Sequence, residues 1–342
     1  MELSQCLTNN RIFVIAEIGQ NHNGDMNIAK RLIKEAASAG FDAIKSVKRD
    51  INSELTTEAY NKPYDNPNSF GKTYGEHREY LELTVEKHKE LKKYSNKLGL
   101  MYFCSACDTK SVDDMEKIDV DIYKIASRDL TNIPLIEYIA KLNKTIILST
   151  GMASYKEIDE AVDMIRKFHN KIIILQCTSQ YPTPIENINL RVIPNLMDRY
   201  NVPVGLSDHN SGILPATLAV VLGASVIEKH VTLSRAMKGT DQAGSLEIPG
   251  MRKLISYIRN AQLALGNEEK IILEETVYAR RKLERSIVSN KFINKGEILY
   301  ENMIVLKSPG TGLRWNEKHR IIGKKAKRNI KKDCLLTVDD FV

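Results

Sequence analysis

The stretch "KTIILSTGMASYKEIDEAVDMIRKFHNKIIILQCT" (residues 144–178) decides the fold. It begins and ends with short apolar runs rich in β-branched residues, at 144–150 and 171–178. Between these runs, apolar residues recur at steps of three and four, which predicts an amphipathic helix. A strand, a helix and a second strand in this order are typical of a parallel βαβ unit.

The same alternation continues on both sides of this stretch. We predict six further strands at 11–19, 42–48, 100–106, 121–127, 202–208 and 225–231, with helical segments between them. Eight βα units in roughly 260 residues predict a (β/α)8 TIM barrel. A doubly wound sheet is the alternative, but no G-x-G-x-x-G follows the first strand.

Two segments depart from a minimal barrel. Residues 51–84 follow the second strand and are rich in Pro, Gly, Asn and Tyr, so we expect a long loop that acts as a lid or a specificity element. After the barrel, residues 267–284 are charged and predict a helical linker, and residues 285–342 show short apolar runs separated by turns. The predicted organisation is therefore a barrel (1–266), a linker (267–284) and a small β-rich domain (285–342).

Composition bounds the class of protein. A chain of 342 residues with 42% hydrophobic and 27% charged residues is typical of a globular protein. We see no signal peptide at the start and no apolar run of the roughly 18 residues that a membrane span needs. The five cysteines form no disulfide framework, so we expect a cytoplasmic protein.

The formal charge of +7 arises from the last segment, where 14 Lys and Arg face 7 Asp and Glu from residue 282 onward. These cations are spread among apolar residues without a nucleic-acid-binding motif, and KKAKRNIKK (324–332) is best explained as a solvated face. We therefore expect an anionic small substrate rather than nucleic acid.

Polar side chains lie near the carboxyl ends of most predicted strands, where TIM-barrel enzymes carry their active sites. A single polar residue at a strand end is weak evidence, but polar residues at the ends of most strands of one barrel indicate an active site. The polar residues at or just after the strand ends are Glu17, Lys45, Lys124, Ser127, Ser149, Tyr181, Ser207, Asp208, His209, Glu228 and His230.

The residue types leave several roles open. His209 and His230 follow consecutive strands and could ligate one divalent cation or simply hydrogen-bond in a polar mouth. Lys45 and Lys124 interrupt apolar strands, so they could form a Schiff base, bind an anion, or pair with barrel carboxylates such as Glu17. CSAC (104–107) matches C-x-x-C without a second cysteine pair, which favours structural thiols over zinc.

Several motifs together resemble the sialic acid synthase family, whose members make nonulosonic acids from phosphoenolpyruvate and an N-acylated hexose. They occur in the family's order across nearly the whole chain. The motifs are AEIGQNHNGD (16–25), YKIAS (123–127), ILSTGM (147–152), CTSQYPTP (177–184), GLSDH (205–209) and IEKHVT (227–232), and in the tail RSIV (285–288), NKGEIL (294–299) and SPGTGL (308–313). The tail is similar to the antifreeze-like (SAF) domain that accompanies this barrel.

The resemblance implies a site for each component of the reaction. A divalent ion, Mn²⁺ first and Mg²⁺ or Co²⁺ as alternatives, is implied at His209 and His230, with Asp208 supporting a ligand. Glu17 and Asp129 occupy acidic positions associated with catalysis. The implied phosphoenolpyruvate-binding residues are Lys45, Lys124, Ser127, Ser149 and Ser207. The implied amino-sugar contacts are Ser179, Tyr181, Asp241 and Arg314.

The resemblance also implies a homodimer, in which the SAF domain of one subunit closes over the barrel of its partner. Two positions depart from the family pattern: Ser308 stands where an arginine is common, which is why Arg314 is considered, and Val47 stands where a glutamine is common. The implied product is sialic acid or a relative such as legionaminic or pseudaminic acid. A class I aldolase using Lys45 or Lys124 and a sugar-binding protein with an inactive barrel are the competing hypotheses.

Overall fold

The computed structural model describes residues 3–342. Eight parallel strands form a closed barrel in which each strand pairs with its neighbour in sequence and the first pairs with the last. The predicted TIM barrel is thus confirmed. The strands are β1 Phe13–Gly19, β2 Ala43–Lys48, β3 Met101–Ala106, β4 Ile122–Ile125, β5 Thr145–Ser149, β6 Ile172–Cys177, β7 Val204–Asp208 and β8 Val226–His230.

Helices return the chain from the carboxyl end of each strand to the start of the next. Local sequence sets their ends: in the helix after β1, Asp25 accepts hydrogen bonds from the first-turn amides, and Gly40 ends the helix at φ 95°. The helices are α1 Leu3–Thr8, α2 Met26–Ala39, α3 Ile51–Glu54, α4 Thr57–Asn61, α5 Tyr74–Leu81, α6 Val85–Lys97, α7 Thr109–Glu116, α8 Ile133–Ala140, α9 Tyr155–Arg166, α10 Val192–Tyr200, α11 Leu214–Val221 and α12 Ile248–Leu265.

The interior of the barrel is apolar at the amino-terminal end of the strands. Side chains alternate between the inside and the outside along each strand, and the lower inward positions carry residues such as Phe13, Phe103 and Ile147. Helix α1 closes this end of the barrel, because Leu3 and Cys6 pack into the same cluster. Polar inward positions are therefore confined to the opposite end.

A larger apolar layer lies between the outside of the barrel and the surrounding helices, and it contains most of the buried Ile, Leu, Val and Ala side chains. Charged residues also occupy outward positions of the strands. Lys229 is fully buried and lies 2.6 Å from Asp208 on the adjacent strand. Its Nζ also contacts the carbonyl oxygen of Asn210.

Residues 51–84 form three helices, α3, α4 and α5, rather than the extended loop expected from their composition. Thr73 begins α5 with a capping box that includes Glu76. The aromatic residues pack against one another: Tyr64 contacts the rings of Tyr74 and His77, and Phe70 stacks on Tyr80 at 4.9 Å. These helices are short and depend on the aromatic contacts. Composition alone therefore predicted a loop.

The chain divides into two compact units, Met1–Gly266 and Asn267–Val342. The second unit contains α13 Val277–Leu283 and an antiparallel pair, β9 Ser286–Ser289 and β10 Ile304–Lys307. Its own core includes buried side chains such as Ile287, Ile321 and Phe341. Residues 267–273 are not helical, so the predicted helical linker is correct only for its second half.

Within residues 3–342, no helix is both long and apolar enough to cross a membrane. The cytoplasmic location expected from the sequence stays a prediction.

Candidate active site

A cavity of about 340 Å³ opens at the carboxyl ends of the barrel strands. Most sequence-predicted site residues line it: Glu17, Lys45, Lys124, Ser127, Ser149, Ser179, Tyr181, Ser207, His209, His230 and Asp241. A larger groove of about 760 Å³ lies beside α9, α10 and α11. That groove lacks a comparable set of lysines, carboxylates and histidines, so the smaller cavity is the candidate active site.

Strand register places the polar residues of the cavity at neighbouring inward positions. Glu17 on β1 lies opposite Lys45 on β2 and opposite His230 on β8. Ser207 on β7 lies opposite Glu228 on β8, and Oγ of the serine donates to the carboxylate at 3.0 Å. Because these residues occupy inward positions of parallel strands, the closed barrel directs them at one another.

The two lysines are buried and hold different partners. Lys45 Nζ lies 2.8 Å from Glu17 and 3.8 Å from Glu228, and these carboxylates raise its pKa although burial opposes the change. Lys124 Nζ donates to Ser149 Oγ at 2.6 Å and to the carbonyl of Ile125 at 3.0 Å. Burial lowers the pKa of Lys124. Lys124, which has no carboxylate in contact, therefore loses its proton more readily than Lys45 does.

The two carboxyl groups have opposite tendencies. Burial raises the pKa of Glu17, while the neighbouring Lys45 opposes this. Burial would also raise the pKa of Glu228, but Lys45 and Lys124 together lower it below the ordinary value. The side chain of Glu228 therefore favours the anion, while Glu17 takes up a proton more readily than an ordinary glutamate does.

The histidines meet at the cavity wall beside Tyr181. The ring centroids of His209 and His230 are 5.2 Å apart, and Tyr181 stacks on His209 at 4.1 Å. His209 Nδ1 donates to the carbonyl of Thr178 at 2.8 Å, so Nε2 carries the lone pair and accepts from the Tyr181 hydroxyl at 3.1 Å.

These donors fit a divalent cation. A carbonyl that fixes the tautomer of a histidine is the usual support for a metal-ligating imidazole. His230 Nδ1 is buried without a hydrogen-bond partner, and burial lowers the pKa of this ring well below its ordinary value, which keeps it neutral. For His209, Cys177 raises the pKa although burial opposes this. Among residues 3–342, no group of three or more His, Cys, Asp or Glu side chains surrounds a metal position, so water or substrate would complete the coordination.

Two predicted site residues lie outside the cavity wall. Asp129, on a 3-10 turn after β4, lies 3.5 Å from Arg128, which itself pairs with Glu54 at 2.8 Å. Burial raises the pKa of Asp129 to about 6. Arg314 belongs to the second unit, where it lies 3.5 Å from Glu284. The roles of Asp129 and Arg314 stay predictions.

Sequence reasoning missed several residues of the cavity wall. Ser105 on β3 accepts a hydrogen bond from Lys45 at 3.2 Å, and its inward position was readable from strand alternation. Gln20, Arg49 and Arg78 also line the cavity near its rim. Gln20 lies within the AEIGQNHNGD motif, whereas Arg78 belongs to α5, whose position depends on tertiary packing and has no sequence signal.

A (β/α)8 barrel with lysines, carboxylates and histidines together at its mouth is typical of an enzyme. Comparison with protein families shows the family to which the chain belongs. The chain belongs to the NeuB family, whose model matches residues 32–270, and residues 284–342 match the SAF domain.

Named relatives cover almost the whole chain. It is 38% identical to the N,N'-diacetyllegionaminic acid synthase of Campylobacter jejuni, over 95% of this chain and 99% of the relative. It is 34% identical to the N-acetylneuraminate-9-phosphate synthase of Homo sapiens, over 94% of this chain and 90% of the relative. Among solved structures, the N-acetylneuraminic acid (sialic acid) synthetase of Leptospira borgpetersenii, in complex with citrate, matches with a TM-score of 0.70 at 34% identity, covering 79% of this chain and 90% of the other.

Proposed function

We propose that this chain is a nonulosonic acid synthase that condenses phosphoenolpyruvate with an open-chain N-acyl hexosamine. The products are a sialic acid-type 2-keto acid and inorganic phosphate. The relatives named above are synthases of this type, and one observation in the site supports the proposal most directly. Lys45 and Lys124 are buried on adjacent sides of one cavity together with hydroxyl groups, which suits a small substrate with two anionic groups.

The lysines and serines bind phosphoenolpyruvate in this proposal. Lys124 and Ser149 already form a hydrogen-bonded pair, and Lys45 is joined to Ser105. Ser127 also lines the cavity, and its Oγ accepts a hydrogen bond from the amide of Gly151 at 2.9 Å. An anion entering here would form an ion pair with Lys124, whose present partners are a hydroxyl and a carbonyl oxygen.

The carboxyl groups handle charge and protons. C3 of phosphoenolpyruvate forms a bond to the aldehyde carbon of the sugar, whose oxygen takes up the proton carried by Glu17, and a cationic centre develops at C2. Glu228, which favours the anion, stabilises this centre electrostatically. Water then adds at C2 and gives one proton back to Glu17. The C2–O bond to phosphate breaks, the C2 hydroxyl becomes the keto group, and its proton leaves with the phosphate. Asp129 acts indirectly by positioning Arg128, which lines the cavity.

His209 and His230 would hold the divalent cation, for which we propose Mn²⁺, with Mg²⁺ or Co²⁺ as substitutes. When bound, such a cation supplies Lewis-acid polarisation of the aldehyde oxygen. The chain's own contribution is to orient the imidazoles and to keep His230 neutral through burial. The carbonyl oxygen of Thr178 orients His209.

The sugar contacts are assigned to Ser179, Tyr181 and Asp241 at the cavity and to Arg314 of the second unit. We propose a homodimer in which the second unit of one subunit covers the barrel of its partner. Two inactive variants, His209→Ala and Arg314→Ala, test this when their subunits are mixed. Because mixed dimers then contain one site of native composition, about a quarter of wild-type activity should return. No recovery after verified subunit exchange would contradict the shared site.

Phosphate release from phosphoenolpyruvate, with mass spectrometry of the product, tests the proposed reaction. The panel contains N-acetylmannosamine, its 6-phosphate, and 2,4-diacetamido-trideoxyhexoses of the legionaminic and pseudaminic series. EDTA should abolish turnover and Mn²⁺ should restore it. Turnover with no member of the panel would overturn the proposal.

His209→Ala tests the metal assignment with two measurements. We expect loss of activity and loss of bound Mn²⁺ by elemental analysis, with an unchanged far-UV circular dichroism spectrum. His169→Ala is the matched control, because His169 precedes β6 at the amino-terminal end of the strands, away from the cavity. Full retention of Mn²⁺ by His209→Ala would exclude this residue as a ligand.

A Schiff-base aldolase is the second candidate, and one observation favours it. Burial lowers the pKa of Lys124, and a lysine that loses its proton easily is the nucleophile such enzymes need. Borohydride in the presence of pyruvate distinguishes the two reactions. A stable adduct on Lys124 would support the aldolase, and full activity loss with EDTA would exclude it.

A further inference from the structure

The loops that follow β6 and β7 carry a proposed metal ligand and a proposed sugar contact. We call residues 178–184 the β6 loop and residues 209–213 the β7 loop. His209 lies in the β7 loop, and Tyr181, whose ring stacks on that of His209, lies in the β6 loop. Because β6 and β7 pair in parallel, their two loops leave the barrel side by side.

Hydrogen bonds around Thr183 join the β6 loop to the β7 loop. The backbone amide of Thr183 donates to the carbonyl oxygen of His209 at 3.0 Å. In the opposite direction, Nδ2 of Asn210 donates to the carbonyl oxygen of Thr183 at 2.8 Å. The side chain of Asn210 thus continues the pairing of the two segments beyond the end of the regular strands.

Asn210 is itself fixed by three further hydrogen bonds. Its backbone amide donates to Asp208 Oδ1 at 2.9 Å, and its backbone carbonyl oxygen accepts from the buried Lys229. Its side-chain oxygen accepts from the amide of Gly212 at 2.8 Å. Because this oxygen faces a donor and the side-chain nitrogen faces the carbonyl of Thr183, both partners require the same orientation of the side-chain amide. Asn210 therefore offers Thr183 a donor whose position is set by the barrel itself.

The β6 loop in turn orients the imidazole of His209. The carbonyl oxygen of Thr178 accepts from His209 Nδ1 at 2.8 Å, and the hydroxyl of Tyr181 lies 3.1 Å from Nε2. Thr183 is buried, and its hydroxyl lies 2.7 Å from the carbonyl oxygen of Gln180 and 3.2 Å from that of Thr178. A displacement of Thr183 would therefore move both the carbonyl that orients His209 and the aromatic ring that stacks on it.

The lysines assigned to phosphoenolpyruvate are held by other elements of the barrel. Lys45 on β2 pairs with Glu17 and contacts Ser105, and Lys124 on β4 donates to Ser149 on β5. These partners lie on strands and not in the β6 or β7 loop. A change that loosens the two loops should therefore affect the metal ligand and the sugar contact while these anion-binding lysines stay in place.

We propose that Asn210 is a positioning residue that clamps the β6 loop to the β7 loop, so that His209 and Tyr181 are held in place together. Asn210 acts through Thr183 and not by contact with a reacting atom. This inference rests on the proposed synthase function and adds a residue to its machinery. Its consequence is a coupled loss, because loosening one loop weakens the affinity for the divalent cation and the affinity for the sugar at the same time.

Asn210→Ala removes the clamp without adding a charge, and the half-buried position of Asn210 outside the apolar core lets the barrel keep its fold. Groups that orient a metal-ligating histidine contribute about 10- to 100-fold to metal affinity. The Kd for Mn²⁺, measured from the EPR signal of the free ion without substrates, should therefore rise by about 10-fold or more. The KM for the panel sugar that is turned over should rise by about 5- to 10-fold, and the KM for phosphoenolpyruvate should stay unchanged.

A double-mutant cycle at saturating Mn²⁺ separates positioning from a general loss of stability. If Asn210 affects the sugar by holding Tyr181, then Asn210→Ala should raise the KM for the sugar little further once Tyr181→Ala has removed the ring. The two substitutions should then have effects on this KM that are smaller together than their product predicts. Independent effects that multiply fully would contradict a role of Asn210 through Tyr181.

Amide hydrogen exchange reads the clamp without metal or turnover. The peptide that contains the β6 loop should exchange about 5- to 10-fold faster in Asn210→Ala, because one hydrogen bond that holds this loop is lost. Asn132→Ala is the matched control, because Asn132 also bonds a backbone amide, that of Leu135 at 3.3 Å, but within a single helix cap after β4. This variant should leave the exchange of the β6 loop and the Kd for Mn²⁺ unchanged.

Two results would overturn the inference. One is unchanged exchange in the β6 loop of Asn210→Ala, and the other is faster exchange with an unchanged Kd for Mn²⁺ and an unchanged KM for the sugar. If the wild type turns over no sugar of the panel, the proposed synthase function fails. Hydrogen exchange and Mn²⁺ affinity then still decide whether Asn210 positions His209.

Discussion

Replacing Lys229 by Met should destabilise the barrel strongly, because it leaves a buried carboxylate without its cation. The side chains of Lys229 and Asp208 are 0% and 1% exposed and lie 2.6 Å apart. In Lys229→Met, Asp208 keeps only the hydrogen bond from the amide of Asn210, at 2.9 Å. Removing one partner of a buried ion pair costs about 3–5 kcal/mol. At about 2 °C per kcal/mol for a unit of this size, the melting temperature should fall by about 6–10 °C.

The double variant Asp208→Asn/Lys229→Met separates this mechanism from a simple loss of packing. Removing both charges eliminates the uncompensated ion, so the double variant should be more stable than Lys229→Met by about 2 kcal/mol or more. Lys30→Met is the control, because Lys30 pairs with Glu90 at the surface, with 35% and 54% of the two side chains exposed. Its cost should stay below about 1 kcal/mol.

Far-UV circular dichroism is the appropriate measurement for this prediction. Of the thirteen α-helices in residues 3–342, twelve lie in the first unit, so helical signal reports on the barrel. The single tryptophan, Trp315, lies in the second unit and reports on that unit instead. The reasoning is refuted if the free energy of unfolding of Lys229→Met lies within about 1 kcal/mol of the wild-type value. It is also refuted if the double variant is less stable than Lys229→Met.

Three further predictions concern other parts of the chain. Gly205→Ala should cost about 1–3 kcal/mol or more in barrel stability by chemical denaturation, because an added Cβ would lie 2.1 Å from the carbonyl oxygen of Val226. Tyr181→Phe keeps the ring stacked on His209 but loses a hydroxyl, so the KM for the sugar should rise about 10-fold with bound Mn²⁺ unchanged. Asp340 accepts hydrogen bonds that lower its pKa although burial opposes this, so its stabilisation is present above its ordinary value of 3.8 and is lost as pH falls through the lowered folded pKa. Asp340→Asn should therefore lose about 1 kcal/mol at pH 7, and acidification should destabilise it less than the wild type, as measured by tryptophan fluorescence in urea.

Much of the barrel and its mouth was predictable, and the reasons are physical. Buried parallel strands need continuous apolar runs, so a polar residue such as Lys45 or Lys124 within such a run is conspicuous. The spacing of the strands also showed that His209 and His230 would be neighbours. Convergence of these residues on one cavity follows from strand register, which the alternation of strands and helices already determines.

What the sequence did not reveal depends on contacts between distant segments. The helices of residues 51–84 are four, five and eight residues long, too short to form alone, and they are held by aromatic packing. Arg78 reaches the cavity only because α5 lies where it does. Asp129 follows a strand end, as a cavity residue would, but its 3-10 turn directs it to Arg128.

The short helix α1 makes the closed end of the barrel chemically addressable. Cys6 is fully buried there, at the opposite end of the strands from Cys177 in the cavity wall. The rate at which a thiol reagent labels Cys6, read by peptide mass spectrometry, thus reports how often this end opens, independently of events at the mouth. An affinity tag fused directly before Leu3 should be avoided, because a bulky group there would interfere with the packing of α1 against the amino-terminal end of the barrel.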